Sequence, residues 1–260
     1  KHIETILRQM LKKIEVKETG DSKLLPGEVV NFSYILAVLG VINIIWGAAN
    51  AIAQIDLKKM VAYSSVSHMG YVLLGISSVV GVAGVVSPVG LTGASLQMFT
   101  HGTITALLFL LVGFIYDKAH TRYIPDLGGL TSRMPILAVA FLLAGLAALG
   151  LPGTSGFVSE TLVFLGTFPV WGWHTALAAF GVVIAAGYIL WMVQRTLFGP
   201  KVERFRDVKD ATAMEMVPVA ALLVAVFVVG VYPAVITDVF SSGVEPIVDS
   251  IQRVAHVSLK

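Results

Sequence analysis

Six apolar segments, separated by short polar loops, dominate the pattern of residues along the chain. About 20 apolar residues in a helix cross the roughly 30 Å hydrocarbon core of a bilayer, and each segment is long enough to do so. Because lipid offers no hydrogen bonds, a spanning backbone must satisfy its own polar groups as a helix. The sequence therefore predicts an all-α, polytopic transmembrane protein with about six spans, at residues 32–54, 60–82, 91–116, 134–168, 172–197 and 214–237.

The fourth segment, residues 134–168, is long for one span and short for two spans joined by a turn. Its middle contains residue types that interrupt helices. They predict one discontinuous helix that is broken near residues 150–156 into two half-helices, with Glu160 in the second half. The residues of the predicted break are Gly150, Pro152, Gly153 and Gly156.

The apolar segments divide the chain into three regions. Residues 29–240 are the predicted transmembrane part, and residues 241–260 are a C-terminal tail. Residues 1–28 form a basic N-terminal segment in which apolar residues recur at helical spacing. This pattern predicts an amphipathic helix that lies at the membrane surface or packs on a partner. The apolar positions are Ile3, Ile6, Leu7, Met10, Leu11 and Ile14.

The basic residues between the spans are confined to alternate loops. Loops 55–59, 117–133 and 198–213 carry Lys and Arg residues, whereas the loops near 83–90 and 168–172 carry none. The positive-inside rule assigns the basic loops to the cytoplasm. The rule then places the N-terminal segment on the opposite side of the membrane, although that segment is itself basic and would by the same rule favour the cytoplasm. The chain is therefore predicted to be an integral membrane protein whose loops 55–59, 117–133 and 198–213 face the cytoplasm.

The composition excludes several other classes of protein. Hydrophobic residues make up 56% of the 260 residues and charged residues only 13%, about half the charged share of a typical soluble domain. The net charge of +2 gives no reason to expect a nucleic-acid partner. The chain has no cysteine, which excludes disulfides, thiolate-bound clusters and cysteine nucleophiles.

Three ionisable residues lie inside the predicted spans, namely His68, His101 and Glu160. Ionisable groups inside a membrane are costly, so each is a candidate functional residue. A carboxylate and two imidazoles can exchange protons through bound water when their environment brings them near neutral pH. The polar residues predicted to support such a proton path are Ser64, Ser67, Thr100, Thr103, Asn50 and Lys58.

Structural explanations exist for the same residues. A hydroxyl in a span commonly bonds to its own helix, and a buried His or Glu can simply bond to a neighbouring helix. Two histidines on adjacent spans could also ligate a haem, although their Ser- and Thr-rich surroundings disfavour it. No cofactor and no metal site is predicted.

Three long motifs, in this order, resemble the proton-conducting antiporter-like membrane subunits of complex I, of the NuoM and NdhD type. They are AQIDLKKMVAYSSVSHMGYVLLGI, then LQMFTHG with IYDKAHTRYIPDLGGL, and then LGLPGTSGFVSETLVFLGTF. The resemblance covers about residues 30–240. Related subunits occur in membrane-bound hydrogenases, sulfane reductases and Mrp-type antiporters.

The resemblance implies a fold of fourteen helices, built from two inverted repeats that each contain a discontinuous helix. The six spans would be the second repeat and the last helix, which is the C-terminal half of that fold. Glu160 matches the charged residue of the family's twelfth helix, and His68 and His101 match histidines of the tenth and eleventh. The charged residues of the first repeat have no counterpart in this chain.

The function implied by the resemblance is that of a non-redox membrane subunit in a complex I-like respiratory complex. It would take part in proton or sodium translocation through a relay of Glu160, the two histidines and water. One alternative is a partial antiporter-like copy with only a structural or coupling role; a second is part of an Mrp-type cation/proton antiporter. The expected partners are other membrane subunits, among them another antiporter-like subunit or a chain supplying the N-terminal half, together with lipid. The membrane that the resemblance implies is a prokaryotic cytoplasmic membrane, or a thylakoid or organelle inner membrane.

Overall fold

The computed structural model describes residues 26–81 and 86–257, and within these ranges the chain is almost entirely helical, with no β-strand. The predicted N-terminal amphipathic segment lies almost wholly outside the described residues. Three short 3-10 helices, at Ile124–Asp126, Leu130–Ser132 and Glu203–Phe205, lie in the loops. The α-helices are α1 Pro26–Ile52, α2 Leu57–Ser77, α3 Pro88–Ala119, α4 Pro135–Ala148, α5 Ser155–Trp171, α6 Trp173–Leu197, α7 Ala213–Val231 and α8 Ala234–Val257.

Helix α3 lies at the centre of the bundle, where it packs against α2, α4, α5, α7 and α8. Helix α1 packs along α2 at very close range, because a Cβ atom at Gly47 would come within 2.4 Å of the backbone nitrogen of Ser67. The largest apolar core is formed mainly by α3, α4 and α6. Its fully buried members include Leu107, Phe141 and Tyr188.

The fourth predicted span is broken where the sequence indicated. Helix α4 ends at Ala148 and α5 begins at Ser155, with residues 149–154 between them. Gly150 and Gly153 adopt φ angles of +80° and +93°, in a region that residues with a side chain rarely occupy. Pro152, between them, has no N–H to continue the helix. These residues therefore interrupt the helix, and the two half-helices stay in contact where Gly156 packs on the carbonyl of Ala147.

Length and apolar composition support the prediction of a polytopic membrane protein. Among the described residues, four helices could cross a membrane by these criteria, at Val30–Ile52, Pro88–Ala119, Trp173–Leu197 and Ala213–Val231. The two half-helices are individually shorter. Helix α2, the predicted span 60–82, is long enough but has less apolar character because it carries Lys58, Lys59, several serines and His68.

The structure differs from the prediction for the last span and the residues that follow it. The last span was predicted at 214–237, but α7 ends at Val231 and a separate helix, α8, begins at Ala234. Pro233 lies at this break, where it cannot continue a helical hydrogen-bond pattern. The apolar residues that follow the proline extended the hydropathy signal past the real end of the helix. Most of the predicted tail, 241–260, thus belongs to α8, whose Val244, Val248 and Ile251 pack against Val79, Val80 and Leu91.

The three basic loops meet at one end of the bundle. Arg122 Nε donates to Asp56 Oδ2 at 2.7 Å, which joins loop 55–59 to loop 117–133. Asp210 in the third loop accepts hydrogen bonds from the backbone of Ile136 and Leu137 at the start of α4. Burial alone would raise the pKa of Asp56, but the bonds from Arg122 and from the backbone N–H of Lys59 outweigh it and lower this pKa.

Candidate functional site

A small cavity lies between α2, α3 and the two half-helices. The space open to the centre of a water molecule is about 10 Å³, which is room for roughly one water. Both intramembrane histidines and the glutamate line this cavity, together with several apolar residues. The lining residues are Ser64, His68, Gln97, Thr100, His101, Ile104, Thr105, Leu108, Ala147, Ala148, Gly156 and Glu160.

His68 and Glu160 are paired inside this cavity. His68 Nδ1 lies 3.2 Å from Glu160 Oε1, and the two residues are only 6% and 7% exposed. The helices α2 and α5 bring them together although they are 92 positions apart in the sequence. A buried carboxylate is costly without a partner. The imidazole supplies that partner, and a proton can pass between the two groups at hydrogen-bond distance.

His101, on α3, lies next to His68 of α2. The ring centroids are 5.1 Å apart and the ring planes differ by 30°. The hydroxyl of Thr105, one turn further along the same helix, lies 3.2 Å from Nδ1 and 3.1 Å from Nε2 of His101. The threonine can therefore fix the orientation of the ring in either tautomer.

Ser159, the residue before Glu160, links α5 to α3 through hydrogen bonds. The Ser159 hydroxyl lies 2.9 Å from the Thr100 hydroxyl and also donates to Gln97 Oε1. All three side chains are buried. This network fixes the rotation of α5 about its own axis, and with it the direction in which Glu160 points.

The break in the fourth span contributes directly to the cavity. A Cβ atom at Gly150 would lie 3.2 Å from Glu160 Oε2, so this glycine leaves space beside the carboxylate. Gly156 lies in the first turn of α5 and lines the cavity. Pro152 and Gly153 lie further out, and the carbonyl of Gly153 packs on Gly230 of α7.

The predicted supporting residues divide into two groups. Ser64 and Thr100 line the cavity. The other four do not line it. Ser67 donates a hydrogen bond to the carbonyl of Ile44 on α1. Thr103 and Asn50 donate to carbonyls of their own helices, those of Thr100 and Trp46 respectively, and Lys58 is exposed.

Three residues near the carboxylate were not predicted from the sequence. Ser159 precedes Glu160, and Tyr71 lies one helical turn from His68, a spacing that could have indicated it. Tyr188 belongs to α6 and has no such signal in the sequence. Both tyrosines are fully buried and interact electrostatically with Glu160.

The arrangement does not suit a metal or a haem. Within residues 26–81 and 86–257, no group of three or more His, Asp or Glu side chains is placed to hold a metal ion. A cavity with room for about one water cannot admit a porphyrin. The site can instead hold a proton on a carboxylate or an imidazole and exchange it with a buried water.

Comparison with known proteins identifies the class to which this helical membrane bundle, with its broken helix and buried carboxylate–imidazole pair, belongs. Residues 22–185 match the family described as "NADH:quinone oxidoreductase/Mrp antiporter, TM". The chain belongs to this family, which confirms the resemblance seen in the motifs.

Individual relatives and one solved structure agree with this assignment. The chain is 44% identical to NAD(P)H-quinone oxidoreductase chain 4 1 of Synechococcus elongatus, over 84% of this chain and 41% of the relative. It is 42% identical to NADH-quinone oxidoreductase subunit M of Rhodobacter capsulatus, over 82% and 40% respectively. A chain of respiratory complex I from Thermus thermophilus superposes with a TM-score of 0.77 at 31% identity, covering 89% of this chain and 46% of that chain. This chain therefore spans somewhat less than half the length of the proteins it matches.

Proposed function

We propose that this chain contributes one proton-translocating site to the membrane arm of a complex I-like assembly. The observation that carries the proposal is the 3.2 Å pair of His68 and Glu160 in a buried cavity next to a helix break. In this proposal Glu160 is the protonatable group, and His68 exchanges a proton with it. His101, whose ring is 5.1 Å from that of His68, continues the path through a bound water.

The helix break has two roles in this mechanism. It places a glycine at position 150, so that no side chain lies beside the carboxylate. It also frees backbone groups, which water in a cavity can satisfy with hydrogen bonds. A half-helix that ends inside the membrane can also shift without moving a whole span. Protonation of Glu160 would remove its attraction to His68, and that change in charge is what would couple proton binding to the movement of α5.

The proposed partners and orientation follow from the family and from the charged loops. The relatives are named as parts of quinone oxidoreductases, so this chain is proposed to assemble with the other membrane subunits of such a complex, among them another antiporter-like subunit or a chain that supplies the N-terminal half. The three basic loops share one end of the bundle, and we propose that this end faces the cytoplasm, as the positive-inside rule predicts.

The decisive test replaces Glu160 by glutamine in the parent complex. Inverted membrane vesicles report proton uptake with a pH-sensitive dye, and quinone reduction is measured in the same vesicles. We expect Glu160→Gln to lower the ratio of protons moved to quinone reduced, because the site can no longer ionise, while assembly is unchanged. The matched control is Glu203→Gln, an exposed carboxylate in the basic loops, which should keep the wild-type ratio. An unchanged ratio in Glu160→Gln would overturn the proposal.

A structural role is the second candidate, and the size of the cavity favours it. Room for about one water is little for a continuous proton path. A purely structural subunit would keep its proton ratio in Glu160→Gln but lose assembly or thermal stability. A role in cation/proton exchange, as in Mrp-type members of the family, would instead appear as sodium-dependent proton uptake without quinone reduction.

A further inference from the structure

A second cavity lies at the basic end of the bundle, between the C-terminal end of α3 and the loop that joins α6 to α7. It is open to the surface and has a volume of about 370 Å³. Its wall includes Phe205, which is fully buried and anchors the loop. The lining residues are Lys118, Ala119, His120, Arg204, Phe205, Asp207, Val208 and Lys209.

The lining of this cavity is predominantly basic. Lys118, Arg204 and Lys209 carry permanent positive charges, and Asp207 is the single carboxylate among the lining residues. Lys118 Nζ is held 3.1 Å from Glu215 Oε2, so its charge is partly balanced. Arg204 and Lys209 are exposed. Their donors remain free to approach a ligand, and a guanidinium suits a phosphate group particularly well.

His120 caps the C-terminal end of α3 and lines this cavity. Its φ angle is 52°, and it is the one non-glycine residue with a positive φ in the described part of the chain. A glycine is the usual residue at this position after a helix. The chain instead carries an imidazole here, which adds another hydrogen-bond donor to the rim of the basic cavity.

Apolar surface of a membrane-spanning helix adjoins the cavity. Glu215, which binds Lys118, lies in the first turn of α7, between Met214 and Val217. Met214 is 81% exposed and Val217 is 63% exposed. Tyr116 lies one turn before His120 on α3 and is also exposed. A basic cavity at a helix end, beside an exposed apolar helix face, matches a phosphate headgroup joined to acyl chains.

We propose that this cavity binds the phosphate group of an anionic phospholipid, whose acyl chains lie along the exposed face of α7. Basic pockets between helices at the cytoplasmic surface commonly bind anionic headgroups. Arg204 and Lys209 contact the phosphate, His120 closes the rim, and the Lys118–Glu215 pair fixes the floor between α3 and α7. This assignment is independent of the proton site and holds whether or not the chain conducts protons.

The test measures lipid binding to the detergent-purified protein by native mass spectrometry. Phosphatidylglycerol and phosphatidylcholine with identical acyl chains are titrated separately, and inorganic phosphate is added as a competitor. The variant R204Q/K209Q removes two cavity charges and leaves the Lys118–Glu215 pair intact. The matched control K201Q/R206Q removes one lysine and one arginine from the same loop, at exposed positions outside the cavity lining.

We expect the wild type to bind phosphatidylglycerol at least about tenfold more tightly than phosphatidylcholine. R204Q/K209Q should lose this preference, and the control should keep it. Equal affinity for the two lipids in the wild type would overturn the proposal, and so would an equal loss in both variants, which would indicate diffuse surface charge. Displacement of the lipid by millimolar inorganic phosphate would also overturn it in favour of a soluble-phosphate site.

Discussion

Gly156, at the start of the second half-helix, packs directly on the backbone carbonyl of Ala147, near the end of the first. A Cβ atom at position 156 would come within 2.5 Å of that oxygen and 3.3 Å from Ile104 on α3. The two half-helices are therefore fixed against each other at a point where no side chain fits. Because Ala147, Ile104 and Gly156 all line the cavity, this contact also sets the distance across the proposed proton site.

Gly156→Ala tests this contact. The added methyl group must push α5 away from α4, and overpacking of this kind costs about 1–3 kcal/mol. We expect a lower melting temperature in detergent and a lower proton-to-quinone ratio in the parent complex. Gly102→Ala is the matched control, since nothing lies within 4 Å of a Cβ there, and its stability should stay equal or rise. Equal melting temperatures for both variants would contradict the tight contact.

Thr105→Val tests the orientation of His101. Valine keeps the branched shape but removes the hydroxyl that lies beside both ring nitrogens. Loss of one hydrogen bond of about 0.5–1.5 kcal/mol should slow proton transfer roughly 2- to 10-fold, measured as the initial rate of proton uptake. Thr105→Ser restores the hydroxyl and should restore most of the rate. If the serine variant were as slow as the valine variant, packing rather than hydrogen bonding would explain the effect.

Ser159→Ala tests the buried network between α3 and α5. It leaves Gln97 Oε1 without its donor, while the Thr100 hydroxyl keeps only its bond to the Gln97 carbonyl, and an unsatisfied buried polar group costs about 1–3 kcal/mol. We expect a clear fall in melting temperature. Ser242→Ala makes the same chemical change at an exposed position on α8 and should leave the melting temperature within error. A fall of equal size in both variants would rule out the network as the cause.

Asp56→Asn tests how the basic loops are joined. Folding lowers the pKa of the Asp56 carboxyl below its ordinary value of 3.8. The ionised carboxylate therefore stabilises the folded protein at pH values above 3.8, and this stabilisation is lost as the pH falls through the lowered pKa. We therefore expect the wild type to exceed the variant in melting temperature by a constant amount between pH 7 and about pH 5. The difference should shrink steadily at lower pH.

Arg122→Gln provides the complementary variant, because it removes the partner and keeps the carboxylate. Its melting temperature should also be lower at neutral pH, and its difference from the wild type should shrink over the same acidic range. Asparagine can still cap α2 by accepting from the Lys59 N–H, so a pH-independent difference for Asp56→Asn down to pH 3 would show that the ion pair contributes nothing to stability.

Local chemistry explains what could be predicted from the sequence. Runs of apolar residues require helices in lipid, and Pro152 with its neighbouring glycines cannot continue one, so the helical class and the broken span follow without any tertiary contact. His68, His101 and Glu160 stand out because charge inside an apolar segment is costly wherever it occurs. The end of α7 was placed too late because hydropathy does not change at Pro233.

Only the tertiary structure decided which polar residues meet. Ser64 and Ser67 are three positions apart on α2, yet one lines the cavity and the other binds a carbonyl of α1. Tyr188 reaches the neighbourhood of Glu160 because α6 packs across the bundle, a relationship between segments that no local pattern encodes. The sequence determined which groups are costly to bury, and the packing of the helices determined which partner compensates each of them, since that depends on distances between residues far apart in the chain.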